Sequence, residues 1–319
     1  MSMSKNNNSC SFRTSIGGQA LIEGILMRGP KKQAIVCRTK DGLVEKVEEL
    51  KLDKQKHPIL GWPFIRGCAI FLDSMVKGMQ ALTYSASLIP EEEQTEPDKI
   101  DRWIMEHFPA EKAQKLIIGT AVVLGIALAL LLFIILPTLI VGFIKPLTES
   151  YVIRNLSEGF TKVVILLLYM TLCTRMSDIQ RLFAYHGAEH KTIFCYEHGK
   201  PLTVENVRPE SRFHPRCGTS FLLVVIVVSI LVNSLVRLDN SFARMGAHLL
   251  LLPVVVGISY EINRWCGRHD NIVSAVLSAP GKWLQHITTF EPDDGMIECA
   301  IRAMELVIPE EKGSDEWGK

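Results

Sequence analysis

Between Leu116 and Ile144 the chain runs without one charged side chain, bracketed by Lys115 and Lys145. Crossing a bilayer takes about 20 apolar residues in a helix, because lipid offers the backbone no other hydrogen-bond partner. The stretch therefore predicts a transmembrane helix over about 116–137. Ala121, Gly125 and Ala129 form a small-residue ridge suited to close helix contact, and Pro137 is expected to mark the far end. Every other segment has to be placed relative to a membrane.

Three further apolar runs are candidates: 156–175, 219–237 and 244–261. With them the membrane domain extends over 111–262, and the fold class is a mainly α polytopic membrane protein with about four transmembrane helices. The loop 176–218 between the second and third spans carries Arg175, Arg181, Lys191, Lys200, Arg208, Arg212 and Arg216 around and within it. The connections on either side are less basic, so the positive-inside rule puts this loop and both termini in the cytoplasm. Met1 to Ser11 is polar with no apolar run, which argues against a cleavable signal peptide. A net charge of +1 in 319 residues gives no electrostatic case for nucleic acid as a partner. The eight cysteines never form Cys-x-x-Cys, so neither a zinc ribbon nor a disulfide scaffold is indicated.

Before the first span, 1–14 is read as a disordered tail and 15–110 as a cytosolic or interfacial module. Ser15 to Pro30 holds four glycines among apolar residues, implying tight turns or close backbone contacts. Within it Glu23 and Arg28 are candidates either for a site or for a structural ion pair. Residues 33–38 and 43–50 alternate apolar with polar around Asp41-Gly42, the pattern of a β-hairpin. Residues 63–89 show an apolar stripe at helical spacing, suited to the membrane interface or to packing on the hairpin. An acidic linker with Pro90 and Pro97 follows. Beyond the spans, 263–319 reads as a cytosolic helical tail with a helix from about Gly295 to Val307.

The chemistry concentrates at His186-Gly187-Ala188-Glu189-His190, a His-x-x-Glu-His motif. On a helix the two imidazoles project from one face, one turn apart, and can hold two corners of a tetrahedral Zn²⁺ site. Glu189 lies beside them as the candidate general base for an attacking water. The assumed topology carries two more stretches to the same membrane level. Glu261, at the end of the fourth span, would complete a His, His, Glu set with one open position. A salt bridge to Arg264 is the plainer role for it. His214 and Cys217 offer an alternative, closing a four-ligand structural site with His186 and His190, or acting as second shell. Cys217 as a nucleophile with His214 as its base is a further option, without an oxyanion donor to name. Asp178 is expected to orient an imidazole or to pair with a neighbouring Arg, His248 to bond across helices, and His269 with Asp270 to form a surface turn.

Gly17-Gly18-Gln19-Ala20, Glu23-Gly24, Met27-Arg28-Gly29, Ala184 to Thr192, His214 to Phe221 and Trp283-Leu284-Gln285 to Pro292 together resemble the bacterial YqhQ-like family, domain of unknown function 1385. The resemblance covers about Ser15 to Val307. It implies an integral membrane protein of the bacterial inner membrane, described as a predicted metal-dependent enzyme, and it brings no substrate. The functional expectation is a metal-dependent hydrolase at the cytosolic membrane face. His186, His190 and Glu261 would hold a divalent metal, Zn²⁺ by preference, with Glu189 as base. A membrane-embedded peptide or a lipid-linked molecule would be the substrate. The alternative is a non-catalytic membrane scaffold or assembly factor with a structural metal site.

Overall fold

The computed structural model describes residues 12–50, 62–63, 65–89, 99–144, 150–238, 240–269, 271–311 and 313–317. The expected acidic linker and the tail before residue 12 lie outside the described residues. Residues 12–14, read from sequence as the end of that tail, are held in place. Thr14 bridges Glu316 in antiparallel fashion, and its N–H donates to Glu197 at 2.9 Å.

Four antiparallel strands form a meander in the order β1-β2-β3-β4: β1 (Gly17–Leu21), β2 (Gly24–Arg28), β3 (Lys32–Thr39) and β4 (Gly42–Glu49). The hairpin expected around Asp41-Gly42 is β3–β4, with Thr39 opposite Gly42. The Gly-rich stretch supplies two strands more than the sequence pattern indicated. Its signal is masked because β2 reads Gly-Ile-Leu-Met-Arg, with no polar alternation. Both faces of this sheet are covered, and doubly covered strands lose alternation. Ile25, Met27, Ala34 and Val36 pack on one face against Ala184, Tyr185 and Ala188 and against Met296, Cys299, Ala300 and Met304. Leu21, Leu26, Ile35 and Cys37 pack on the other against Ala81 and Leu82.

Those partners lie on α6 (Ser177–Glu197), α11 (Asp294–Glu305) and α1 (Ile65–Ser87), after a chain order that also contains α2 (Lys99–His107), α3 (Ala110–Leu130), α4 (Leu136–Ile144), α5 (Tyr151–Cys173), α7 (Val204–Val207), α8 (Gly218–Asn233), α9 (Ser241–Arg268) and α10 (Ile272–Thr288). The expected C-terminal helix is α11, with the Asp293 side chain accepting from the Met296 N–H at its start. The chain groups into two units, one within 1–88, 169–225 and 254–319, the other within 89–168 and 226–253. The sheet, α1, α6, α10 and α11 belong to the first.

Among the described residues, three helices are long and apolar enough to cross a membrane: Lys112–Phe143, Val152–Cys173 and Phe242–Arg268. The remaining candidate, α8, is a shorter apolar helix, Gly218–Asn233. Pro137 does not end the first span. A π turn over Leu131–Ile135 joins α3 to α4, and the helix runs on to Ile144. Proline lacks an N–H and crowds the carbonyl four residues back, and the wider π turn relieves both. A break at residues 174–176 separates α5 from α6.

The second unit contains a buried ionic cluster, whose members fall within two of the expected spans, 156–175 and 244–261. Glu158 of α5 pairs with Lys162 at 2.9 Å, Arg244 of α9 at 2.6 Å and His248 at 3.2 Å. Arg244 also donates to Asn155 at 2.8 Å. Charged groups inside spanning helices are costly unless paired, as these are.

Candidate metal centre

Local sequence makes α6 a helix with one small-residue patch: Ala184, Gly187 and Ala188 are spaced to let another chain segment approach closely. The approaching segment is Phe290, whose N–H donates to the Phe183 carbonyl at 2.9 Å. Its own carbonyl sits against Gly187, where a Cβ would collide with it. This contact brings Thr288 over the helix.

The result fixes both imidazoles. His186 Nδ1 lies 2.8 Å from the Thr288 carbonyl and His190 Nδ1 lies 2.5 Å from the Arg212 carbonyl. A carbonyl only accepts, so each Nδ1 carries a hydrogen, and in the neutral imidazole each Nε2 presents a lone pair. These two Nε2 atoms converge with Cys217 Sγ, the three donors lying within 4.8 Å of one another. His186 Nε2 is 3.1 Å from the sulfur. His190 Nε2 is buried with no hydrogen-bond partner. Two imidazole lone pairs, one of them on an orphaned buried nitrogen, and a thiol suit a soft-to-borderline divalent ion, and the residues fit one.

The electrostatics point the same way. Burial opposes charge on His186, but Cys217, with Glu189 and the Thr288 carbonyl, overcomes it and pushes the imidazole up to about 9. Burial also opposes a thiolate at Cys217, yet His186 and His190 draw it well below its ordinary value. The thiolate is the form that ligates metal. Burial holds the Glu189 carboxyl above the usual carboxylate range, partly countered by His190 and His186. Glu189 accepts from the Gly18 N–H of β1 at 2.9 Å, so the sheet's first strand helps to build the site.

Other candidates stand elsewhere. Glu261 is not brought to the imidazoles; its carboxylate holds Arg66 of α1 through Nε at 2.6 Å and through Nη2. The reason is the docking of α1, whose Gly67 lies against Tyr260. His214 does not join the donor set, and it faces Glu197, with Nε2 to Oε2 at 3.7 Å. It is not paired with Cys217 as a base, a place taken by His186. Burial pushes the His214 imidazole down to about 4, with His190 and Arg216 adding to the fall and Glu197 opposing it. Glu23 and Arg28 do not pair with each other. Glu23 takes Arg181 at 2.5 and 2.6 Å and the Tyr185 hydroxyl at 3.2 Å, while Arg28 takes Asp73 at 2.8 Å. Asp178 bonds Ser177 at 3.2 Å, and the orienting role expected of it falls to the Thr288 carbonyl. Asp270 lies outside the described residues. Backbone acceptors such as Thr288 and Arg212 carry no residue-type signature, so sequence offered no way to find them.

The family described as protein of unknown function (DUF1385) matches residues 62–310. The chain is 32% identical over 308 residues to the uncharacterized protein YqhQ of Bacillus subtilis, covering 94% of each chain. No solved structure matches it. With most of its length matched and the relative aligned nearly end to end, this chain belongs to the DUF1385 family.

Proposed function

We propose that this protein is a metal-dependent hydrolase at the cytosolic face of the bacterial inner membrane, with His186, His190 and Cys217 holding one divalent ion, zinc by preference. The observation that carries the reading is the convergence of two carbonyl-fixed imidazoles and a thiol on one point, with His190 Nε2 buried and unpartnered. His186, His190 and Cys217 would hold the ion with room for a water or substrate oxygen, and the ion would supply Lewis acidity there. Glu189, buried one residue from a ligand, takes the proton of the attacking water and returns it to the leaving group. Burial raises the affinity of its carboxyl for protons, the direction a general base needs. A membrane-embedded peptide or a lipid-linked molecule is the substrate class that fits the location.

Parity supports four crossings, with α8 as the fourth. The sheet, α6 and α11 share one packed core, so they lie on one side of the membrane. Between α6 and α11 the chain passes through α8 and α9, and an even number of crossings is needed to return. If α9 crosses, α8 crosses too, at about 24 Å for its 16 residues. The basic loop then places this side, with both termini, in the cytoplasm.

One observation favours a second reading, a non-catalytic scaffold with a structural metal: Glu189 is tied to the Gly18 N–H and braces the sheet against α6. Metal content of detergent-purified protein, measured by mass spectrometry, tests both. One equivalent is expected in wild type and in Glu261→Ala, and loss in His186→Ala, His190→Ala and Cys217→Ala. No metal in wild type after reconstitution with Zn²⁺, Mn²⁺ and Fe²⁺ would overturn both readings. Glu189→Gln separates them. The hydrolase reading requires metal retained and turnover lost, whereas a scaffold keeps its cellular role in that variant.

A further inference from the structure

A cavity of about 510 Å³ opens beside the end of α9 and the first turns of α10, and the metal centre makes no use of it. Its charge is one-sided. Arg13, Arg216 and Lys282 line it together with His269, Ser274 and Ser278, and no Asp or Glu is among the described lining residues. Arg13 is steadied by donating to the Gly267 carbonyl at 3.3 Å, and Arg216 by Glu197 and the Trp317 ring. Lys282 makes no ion pair among the described residues. Asn271, which caps α10 in a capping box with Ser274, also lines the cavity, so the positive end of this helix adds to the same field.

The surroundings say where the cavity lies. Gly267 and Cys266 of its wall belong to the last turn of Phe242–Arg268, a helix apolar enough to span a membrane. Ile272, Val273, Val276 and Trp283 on the outer side of α10 are exposed, and Ile272 is 82% so. An amphipathic helix with a bare apolar side and a polar one that carries Lys282, beginning where an apolar helix of spanning length ends, suits the plane of the interface. Its basic wall is then at the depth of lipid phosphates. The volume decides between a bare anion and a larger group: about 510 Å³ is in the range of pockets that take small organic ligands, far more than inorganic phosphate fills.

We propose that this cavity binds the phosphate-bearing headgroup of an anionic lipid from the cytosolic leaflet. Arg13, Arg216 and Lys282 meet the phosphate, and the exposed side of α10 lies along the acyl chains. The inference rests on the proposed orientation in the membrane and not on the metal centre.

Native mass spectrometry of the full-length protein in detergent tests it, with phosphatidylglycerol, phosphatidylcholine and inorganic phosphate as separate probes. Wild type is expected to retain phosphatidylglycerol about tenfold more tightly than zwitterionic phosphatidylcholine. Lys282→Glu and Ser278→Glu, which each put a carboxylate into the cavity, are expected to lose about tenfold in phosphatidylglycerol affinity. Lys282→Arg keeps the charge and is expected to keep the lipid. Equal retention of the two lipids, or equal retention by wild type and both Glu variants, would overturn the proposal. So would a Lys282→Arg loss as large as that of Lys282→Glu. Displacement of the lipid by millimolar inorganic phosphate would assign the cavity to a soluble anion instead, and the lipid proposal would fall.

Discussion

At the scale of single residues, the site depends on groups that are small or neutral. Gly187 lies between the two imidazoles in sequence, and its bare Cα lets the Phe290 carbonyl, and with it Thr288, reach α6. Gly187→Ala is expected to push that segment away, costing about 1–3 kcal/mol through overpacking. It should also weaken metal retention without touching a ligand; a thermal melt in detergent and metal content on the same sample check this. Glu197 and His214 form a second buried pair whose titration sets acid stability. Burial opposes charge on Glu197, but His214 and Arg216 more than offset it, so its carboxyl lies below the ordinary carboxylate value. Stability from a depressed carboxyl is present above its unfolded value and lost as pH falls through the folded one. His214, held down to about 4, adds a loss of the same sign as pH falls below about 6.5, because the unfolded chain takes up that proton first. Melting temperature is therefore expected to fall from about pH 6.5 downward, and less steeply in His214→Phe, where that proton is gone. A melting temperature flat from pH 7 to 4 in wild type would count against this account.

At the scale of elements, the hairpin, the long helices and the α6 motif were legible because each is written in a local period. The β1–β2 hairpin was not, since covering both faces of the sheet erased its alternation. Nor was the ionic cluster of α5 and α9. Glu158 and Arg244 are 86 residues apart, and no local spacing joins them. Paired in the spanning helices, they lock α5 to α9. Glu158→Ala leaves Lys162 and Arg244 buried beside no carboxylate of their own and is expected to cost about 3–5 kcal/mol. Substituting an exposed ion pair such as Arg208–Asp294 should cost about 1 kcal/mol or less. Unfolding in detergent by urea or heat compares the two, and equal losses would refute the locking role.

At the scale of the whole molecule, Thr14 near the start of the described residues bridges Glu316 near their end. β3 from the N-terminal region and α11 from the C-terminal region share one core with α6, so membrane crossings between them come in pairs. An epitope tag inserted after Leu238, between α8 and α9, is expected to be reached by antibody in intact spheroplasts. A tag in the Lys40–Asp41 turn of the sheet should be reached only after lysis. Protection of both before lysis would mean that α8 and α9 do not cross as a pair.

Sequence alone determined that the chain holds helices long and apolar enough to cross a membrane, that a hairpin precedes them, and that His186 and His190 share a helical face. Each of these follows from spacing within a few residues, which backbone geometry converts directly into direction. Which third group stands beside the imidazoles was decided only by the tertiary structure. Cys217 and Glu261 were both eligible by chemistry and by assumed membrane depth. The docking of α1 on Tyr260 set Arg66 against Glu261 and satisfied its charge, while the loop before α8 laid the Cys217 sulfur 3.1 Å from His186. Contacts between segments so far apart depend on how faces pack, and no local period encodes that.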